Sequence, residues 1–133
     1  MRSLACGASS VVGTALFVAV STCGAFAQAG PQTAPLSYVA EPSTYKLLSE
    51  NDQFRVIDVH RPAGHRDAWH SHSPAVVYGL TDCQTRLHFP DGKTAGGDAP
   101  TKAGTVIFNP AVASHAAENT GTAECHQLII ERK

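Results

Sequence analysis

Charge is scarce in this 133-residue chain: Asp, Glu, Lys and Arg make up 16%, and the formal net charge is −1. So few cations cannot build the basic face of a nucleic-acid binder, so no nucleic-acid partner is expected. No apolar run reaches the about 20 residues that a membrane-spanning helix needs. There is no internal repeat and no long stretch of helical period, apart from a possible turn near Tyr45 to Ser49. Gly96-Gly97 is not followed by the Lys-Ser/Thr of a phosphate-binding loop. No serine sits in a nucleophile elbow. Nucleotide-dependent chemistry and serine hydrolysis therefore leave the front rank.

What the chain does have is 43% hydrophobic residues, enough to bury a core, together with 7 His and 4 Cys. Met1-Arg2 gives a positive start, Val11 to Val20 is almost wholly apolar, and Ala25-Phe26-Ala27 supplies a small-x-small end. These three parts together read as a secretory signal peptide over residues 1–27. The protein is thus expected in the periplasm or outside the cell, with no membrane attachment after cleavage. Two alternatives are an uncleaved anchor and lipid attachment at Cys23, where Thr22 is an unfavourable preceding residue.

Residues 28–50 open with a stretch rich in Pro, Ala, Gln and Thr, which reads as an extended arm. Residues 51–133 read as one domain of short strands. Phe54 to His60 and Ala75 to Leu80 are rich in β-formers. Thr85, Leu87 and Phe89 alternate with Arg86 and His88, the two-residue period of a half-buried strand. Thr105 to Phe108 forms another run, closed by Pro110. Leu128-Ile129-Ile130 lies in a last strand that ends in charged Glu131, Arg132 and Lys133. Turns are expected at Pro90-Asp91-Gly92-Lys93 and Asn119-Thr120-Gly121-Thr122. Short strands between Gly/Pro turns indicate an all-β sandwich or small barrel.

His70 and His72 form an H-x-H pair. On a strand they share one face, with Cα atoms about 6.5–7 Å apart, so their rings can converge on one metal ion. A third histidine near in space would complete a facial set of neutral nitrogen ligands. Gly64, His70 and His72 make one spaced pattern, and Gly104, Pro110, His115 and Asn119 make a second. With these two motifs in this order, the stretch from Phe54 to Lys133 resembles the cupins. Val112 stands where the second motif has a glycine, and Cys83 where the first motif ends in one. The first motif's glutamate is also absent, its place taken by Val76 and Val77.

The resemblance implies a single-domain, jelly-roll β-barrel holding a divalent metal (Fe, Zn, Mn, Ni or Cu) inside through His70, His72 and His115. Thiol dioxygenases, which resemble cupins, use such a trio. Three imidazoles leave the ion its full positive charge, so a small anionic ligand or substrate is expected. The first reading is a metal-dependent enzyme on a small acid or thiol, with no residue nameable as general base. The alternative is a metal- or ligand-binding module without turnover. Cupins commonly pair through their sheets, which implies a homodimer.

Asn119, Glu118 and Tyr78 could support the ligands, and His65 and Asp67 could line the mouth. The plainer reading makes these turn, surface, core and loop residues. His60, His88 and His126 read as surface or interface residues, and Trp69 as packing near the barrel rim. Beyond residue 27 only Cys83 and Cys125 remain. A disulfide between them would be worth about 4 kcal/mol in the chain-entropy model. The resemblance implies that Cys83 follows the first motif's strand and Cys125 starts the last; with those strands antiparallel in one sheet, the two would lie at distant ends, so free thiols are the expectation and the disulfide the alternative.

Overall fold

The computed structural model describes residues 30–133. The expected signal peptide, with Cys23, lies outside the described residues. The chain forms one helical turn, α1 (Ser37–Ala40), and nine strands: β1 (Tyr45–Glu50), β2 (Phe54–Arg61), β3 (His70–His72), β4 (Ala75–Gly79), β5 (Thr85–His88), β6 (Thr94–Gly96), β7 (Val106–Asn109), β8 (Val112–Asn119) and β9 (Cys125–Arg132). They make a five-stranded sheet in the order β1-β2-β9-β4-β7 and a four-stranded sheet in the order β3-β8-β5-β6. Strand pairing within both is antiparallel. The all-β jelly-roll expectation holds.

Side-chain alternation decides which residues face inward. On β2, Ile57, Val59 and Arg61 are buried, while Asp58 and His60 face out. On β9, Cys125, Ile129 and Glu131 are buried. Tyr45, Ile57, Val59, Ala75, Val77 and Ile129 form the core cluster. Burying each Val or Ile side chain contributes about 1.5–3 kcal/mol, which anchors the five-stranded sheet as the rigid wall behind the site.

The two motif glycines have a conformational reason. Gly64 has φ 74° and Gly104 has φ 82°. A Cβ at either would meet nothing within 4 Å, so the left-handed backbone and not crowding demands glycine. Pro110 follows the last residue of β7, as expected.

Sequence expectations need correction at several points. The arm assigned to residues 28–50 does not stay outside the domain to its end, and Tyr45 to Ser49 is no helical turn. Tyr45–Glu50 is an edge strand of the large sheet, because Tyr45 enters the core and β1 pairs along β2. The segment before it also docks on the barrel. Leu36 bridges Ser71, and Ala34 N–H donates to the Ala113 carbonyl. Gly96, placed in a turn, closes β6 instead.

Glu131 does not share the exposure of Arg132 and Lys133. It follows Ile129 by two positions, so it shares the inward face and is fully buried.

Cys83 and Cys125 form a disulfide, with Cα atoms 4.8 Å apart. The expectation of distant ends had the geometry reversed. β4 and β9 are antiparallel neighbours with Gly79 opposite Gln127, so the end of one strand lies beside the start of the other. The chain leaving β4 reaches Cys83 four residues later, next to the start of β9.

Candidate metal site

His70 stands directly across from His115 in the β3–β8 ladder, while His72 stands across from Val112. Between these two pairs, Ser71 on β3 thus opposes both Ala113 and Ser114 on β8. The extra residue is a bulge, which re-aims side chains locally. Cross-strand partners hold their Cβ atoms about 4.5–5.5 Å apart, close enough for two rings to meet. The result is a cluster in which one nitrogen from each of His70, His72 and His115 lies within 4.8 Å of the others. His70 Nε2 and His115 Nε2 approach to 2.9 Å.

The ring nitrogens are sorted by their partners. His70 Nδ1–H donates to the Ala68 carbonyl at 2.7 Å, and His72 Nδ1–H donates to Glu131 Oε1 at 2.6 Å. A carbonyl and a carboxylate can only accept, so Nδ1 carries the proton in both rings. In its neutral form each of these rings offers Nε2 as a lone pair. Burial holds the His70 imidazole down to about 4 and that of His115 down to about 3. Both are therefore neutral at pH 7, the state a metal ligand requires.

These observations answer whether the residues suit a divalent ion. Two nitrogens bound at about 2.0–2.1 Å to one ion, at right angles, lie about 3 Å apart. The 2.9 Å approach of the two Nε2 atoms matches that spacing. Pinned Nδ1 protons and inward Nε2 atoms are also how metal-binding histidines are oriented by their surroundings. The three histidines are placed for a metal.

Behind them lies a polar group that sequence reading did not find. Tyr45 is buried, and its hydroxyl donates to Asp67 Oδ2 at 2.6 Å and accepts from Arg61 Nη2 at 2.5 Å. The same oxygen lies 3.2 Å from His70 Nε2. Burial pushes the Tyr45 phenol well above its ordinary value, so it stays protonated. Asp67 Oδ1 also accepts from Ala117 N–H at 2.6 Å, on the strand that carries His115. Asp67 thus locks β1, β2 and β8 together behind the trio. Its oxygens are spent on these bonds, and it does not line the mouth.

The other residues singled out in the sequence fall as follows. His65 turns to Glu41 Oε1 at 2.6 Å, away from the trio. Tyr78 faces out, and Glu118 accepts from His88 at 2.8 Å. Asn119 is buried and structural: its amide donates to the Arg61 and Ala123 carbonyls. Trp69 is half-buried, with the Arg66 guanidinium 5.6 Å from its ring. Glu131 was legible only as a charge recurring at the inward period of the last strand.

The cluster opens into a cavity of about 430 Å³ between the two sheets. His72 and His115 line it, and His70 lies fully buried behind them. Val77, Leu87, Phe89, Ile107 and Ile129 give it apolar walls. No carboxylate or lysine lines it among the described residues, and Arg61 is its one permanent cation.

A two-sheet antiparallel barrel with histidines facing its interior cavity defines the class of architecture. Comparison with solved structures names the fold. A cupin domain from Bordetella pertussis Tohama I matches with a TM-score of 0.59 at 22% identity, covering 78% of this chain and 99% of that chain. An RmlC-like cupin family protein with a double-stranded β-helix fold, from Methanocaldococcus jannaschii, matches with a TM-score of 0.52 at 12% identity, over 67% of this chain and 78% of that one. The chain has the cupin fold. No family model matches the sequence, and no curated protein aligns with it significantly.

Proposed function

We propose that this protein is an exported cupin that holds a divalent metal ion through His70, His72 and His115 and uses it to act on a small acid or thiol. One observation carries the reading: three inward imidazoles at one end of a 430 Å³ cavity, two of them with Nδ1 already engaged. A bound ion would act there as a Lewis acid toward an oxygen or sulfur ligand. The chain's own groups do the rest. Glu131 and the Ala68 carbonyl orient two of the rings. The apolar walls exclude water, which strengthens charge interactions inside. With no carboxylate on the lining, the cavity favours an anionic guest. The Cys83–Cys125 disulfide supports the exported reading, because such bonds persist in oxidising compartments.

The test is metal content. Residues 28–133, exported and untagged, are analysed by elemental mass spectrometry beside His70→Ala and His115→Ala. The reading expects one tightly held ion per chain, absent from both variants, and its identity would select among Fe, Zn, Mn, Ni and Cu. A wild-type chain that holds no metal after reconstitution would sink it.

A second reading is a binding module without turnover. The lining favours it, since no carboxylate or lysine stands ready as a general base. Tight binding of small carboxylates or thiols to the metal-loaded chain, with no product formed, would select it. Pairing of two copies belongs to both readings. The exposed Val106, Ile107 and Phe108 on edge strand β7 support it, and sedimentation would test it.

A further inference from the structure

A second group of ligand-type side chains lies on the outer face of the sheet whose inner face backs the cavity. Asp58 and His60 are two apart on β2 and so point the same way, outward. His126 on β9 stands directly across from His60. One atom from each of Asp58, His60 and His126 lies within 4.8 Å of the others. The two rings stack, with centroids 3.9 Å apart, and both turn Nε2 toward the same carboxylate. His126 Nε2 lies 2.7 Å from Asp58 Oδ1, and His60 Nε2 lies 3.3 Å from Asp58 Oδ2.

The fourth member makes the arrangement more than a surface cluster. His60 Nδ1–H donates to Glu124 Oε1 at 2.8 Å. In the neutral ring that fixes Nε2 as a lone pair, and this lone pair faces a carboxylate oxygen. Two acceptors in that relation call for a cation between them, either a proton or a metal ion. A carboxylate holding the far nitrogen of a histidine is also the usual support of a metal ligand. Two neutral imidazoles with the charges of Asp58 and Glu124 balance a divalent ion. Lys46, opposite Asp58 on β1, makes no ion pair with it.

We propose that Asp58, His60 and His126, with Glu124 behind His60, form a second metal site on the outside of the barrel, suited to zinc, copper(II) or nickel(II). Imidazole with carboxylate is the donor set these ions accept. Binding displaces the His126 Nε2 proton from Asp58 and ties β2 to β9 beside the disulfide end of the sheet. The site is independent of the inner trio, because the trio stands on β3 and β8 of the four-stranded sheet, while Asp58, His60 and His126 face outward from β2 and β9 of the other.

Zinc ion alone is the probe. The untagged, metal-stripped chain is titrated with it by calorimetry, and retained zinc is counted after desalting. Wild type is expected to show two binding events. His60→Ala and His126→Ala should each remove one event, and His70→Ala the other. Asp58→Asn, which keeps the size of the side chain, should weaken the outer event by more than about tenfold. A single event abolished by His70→Ala would overturn the proposal. So would an outer event that persists in His126→Ala, and in either case the outer cation is a proton. A single event lost in His126→Ala but kept in His70→Ala would support the outer site and count against the inner one.

Discussion

Glu131 Oε1 lies 2.6 Å from His72 Nδ1, on a side chain that is fully buried. A carboxylate, missing from the histidine motif, thus returns from the last strand, hydrogen-bonded to one ring of the histidine cluster. Arg55 Nη1, 3.4 Å from the other oxygen, shares its charge.

Replacing Glu131 by Gln keeps an acceptor for His72 but removes the negative charge behind it. Affinity for the inner metal should fall about 10- to 100-fold, as for other carboxylates that support a ligating histidine. Competition with a chelating dye measures this. Unchanged affinity would show that Glu131 only fills space.

Tyr45→Phe deletes a hydroxyl that joins Asp67, Arg61 and His70. The ring still fills the core, so the loss isolates the hydrogen bonds. Stability should drop by about 1–3 kcal/mol in urea denaturation. A neutral result would mean that Arg61 and Asp67 satisfy each other without the phenol.

Opening the disulfide should cost more. Cys83 and Cys125 are 42 residues apart, and the chain-entropy model values such a link at about 4 kcal/mol. The double variant Cys83→Ser with Cys125→Ser should therefore unfold at markedly lower denaturant. If its midpoint matched that of wild type, the unfolded chain would have to be held compact by something else.

Gly104→Ala separates conformation from crowding. Nothing would touch the new methyl group, yet the backbone has φ 82°. The left-handed penalty alone predicts a loss of about 1–2 kcal/mol, measured by thermal unfolding. The same change at Gly79, whose φ is not positive, gives the control.

Local signals in the sequence determined much of this protein. Runs of β-formers located β2, β4 and β7, and alternation located β5, each to within a residue; β9 was marked by Leu128-Ile129-Ile130. The spaced glycines, proline and histidines pointed to the barrel and singled out His70, His72 and His115 together. Such features are carried by φ angles, turn chemistry and the two-residue period, all of which act between near neighbours in the chain.

Other features were decided only by tertiary structure. Tyr45 belongs to neither motif and is distant in sequence from His70, and only strand order brings its hydroxyl to 3.2 Å from that ring. Glu131 reads as one of three charges ending the last strand until pairing with β2 and β4 shows that it faces inward. Cys83 and Cys125 meet because antiparallel neighbours place the end of one strand beside the start of the other. Asp58, His60 and His126 converge because β2 lies against β9. In each case the deciding quantity is the register between strands. That register is set by packing of the whole core, so no local stretch of sequence contains it.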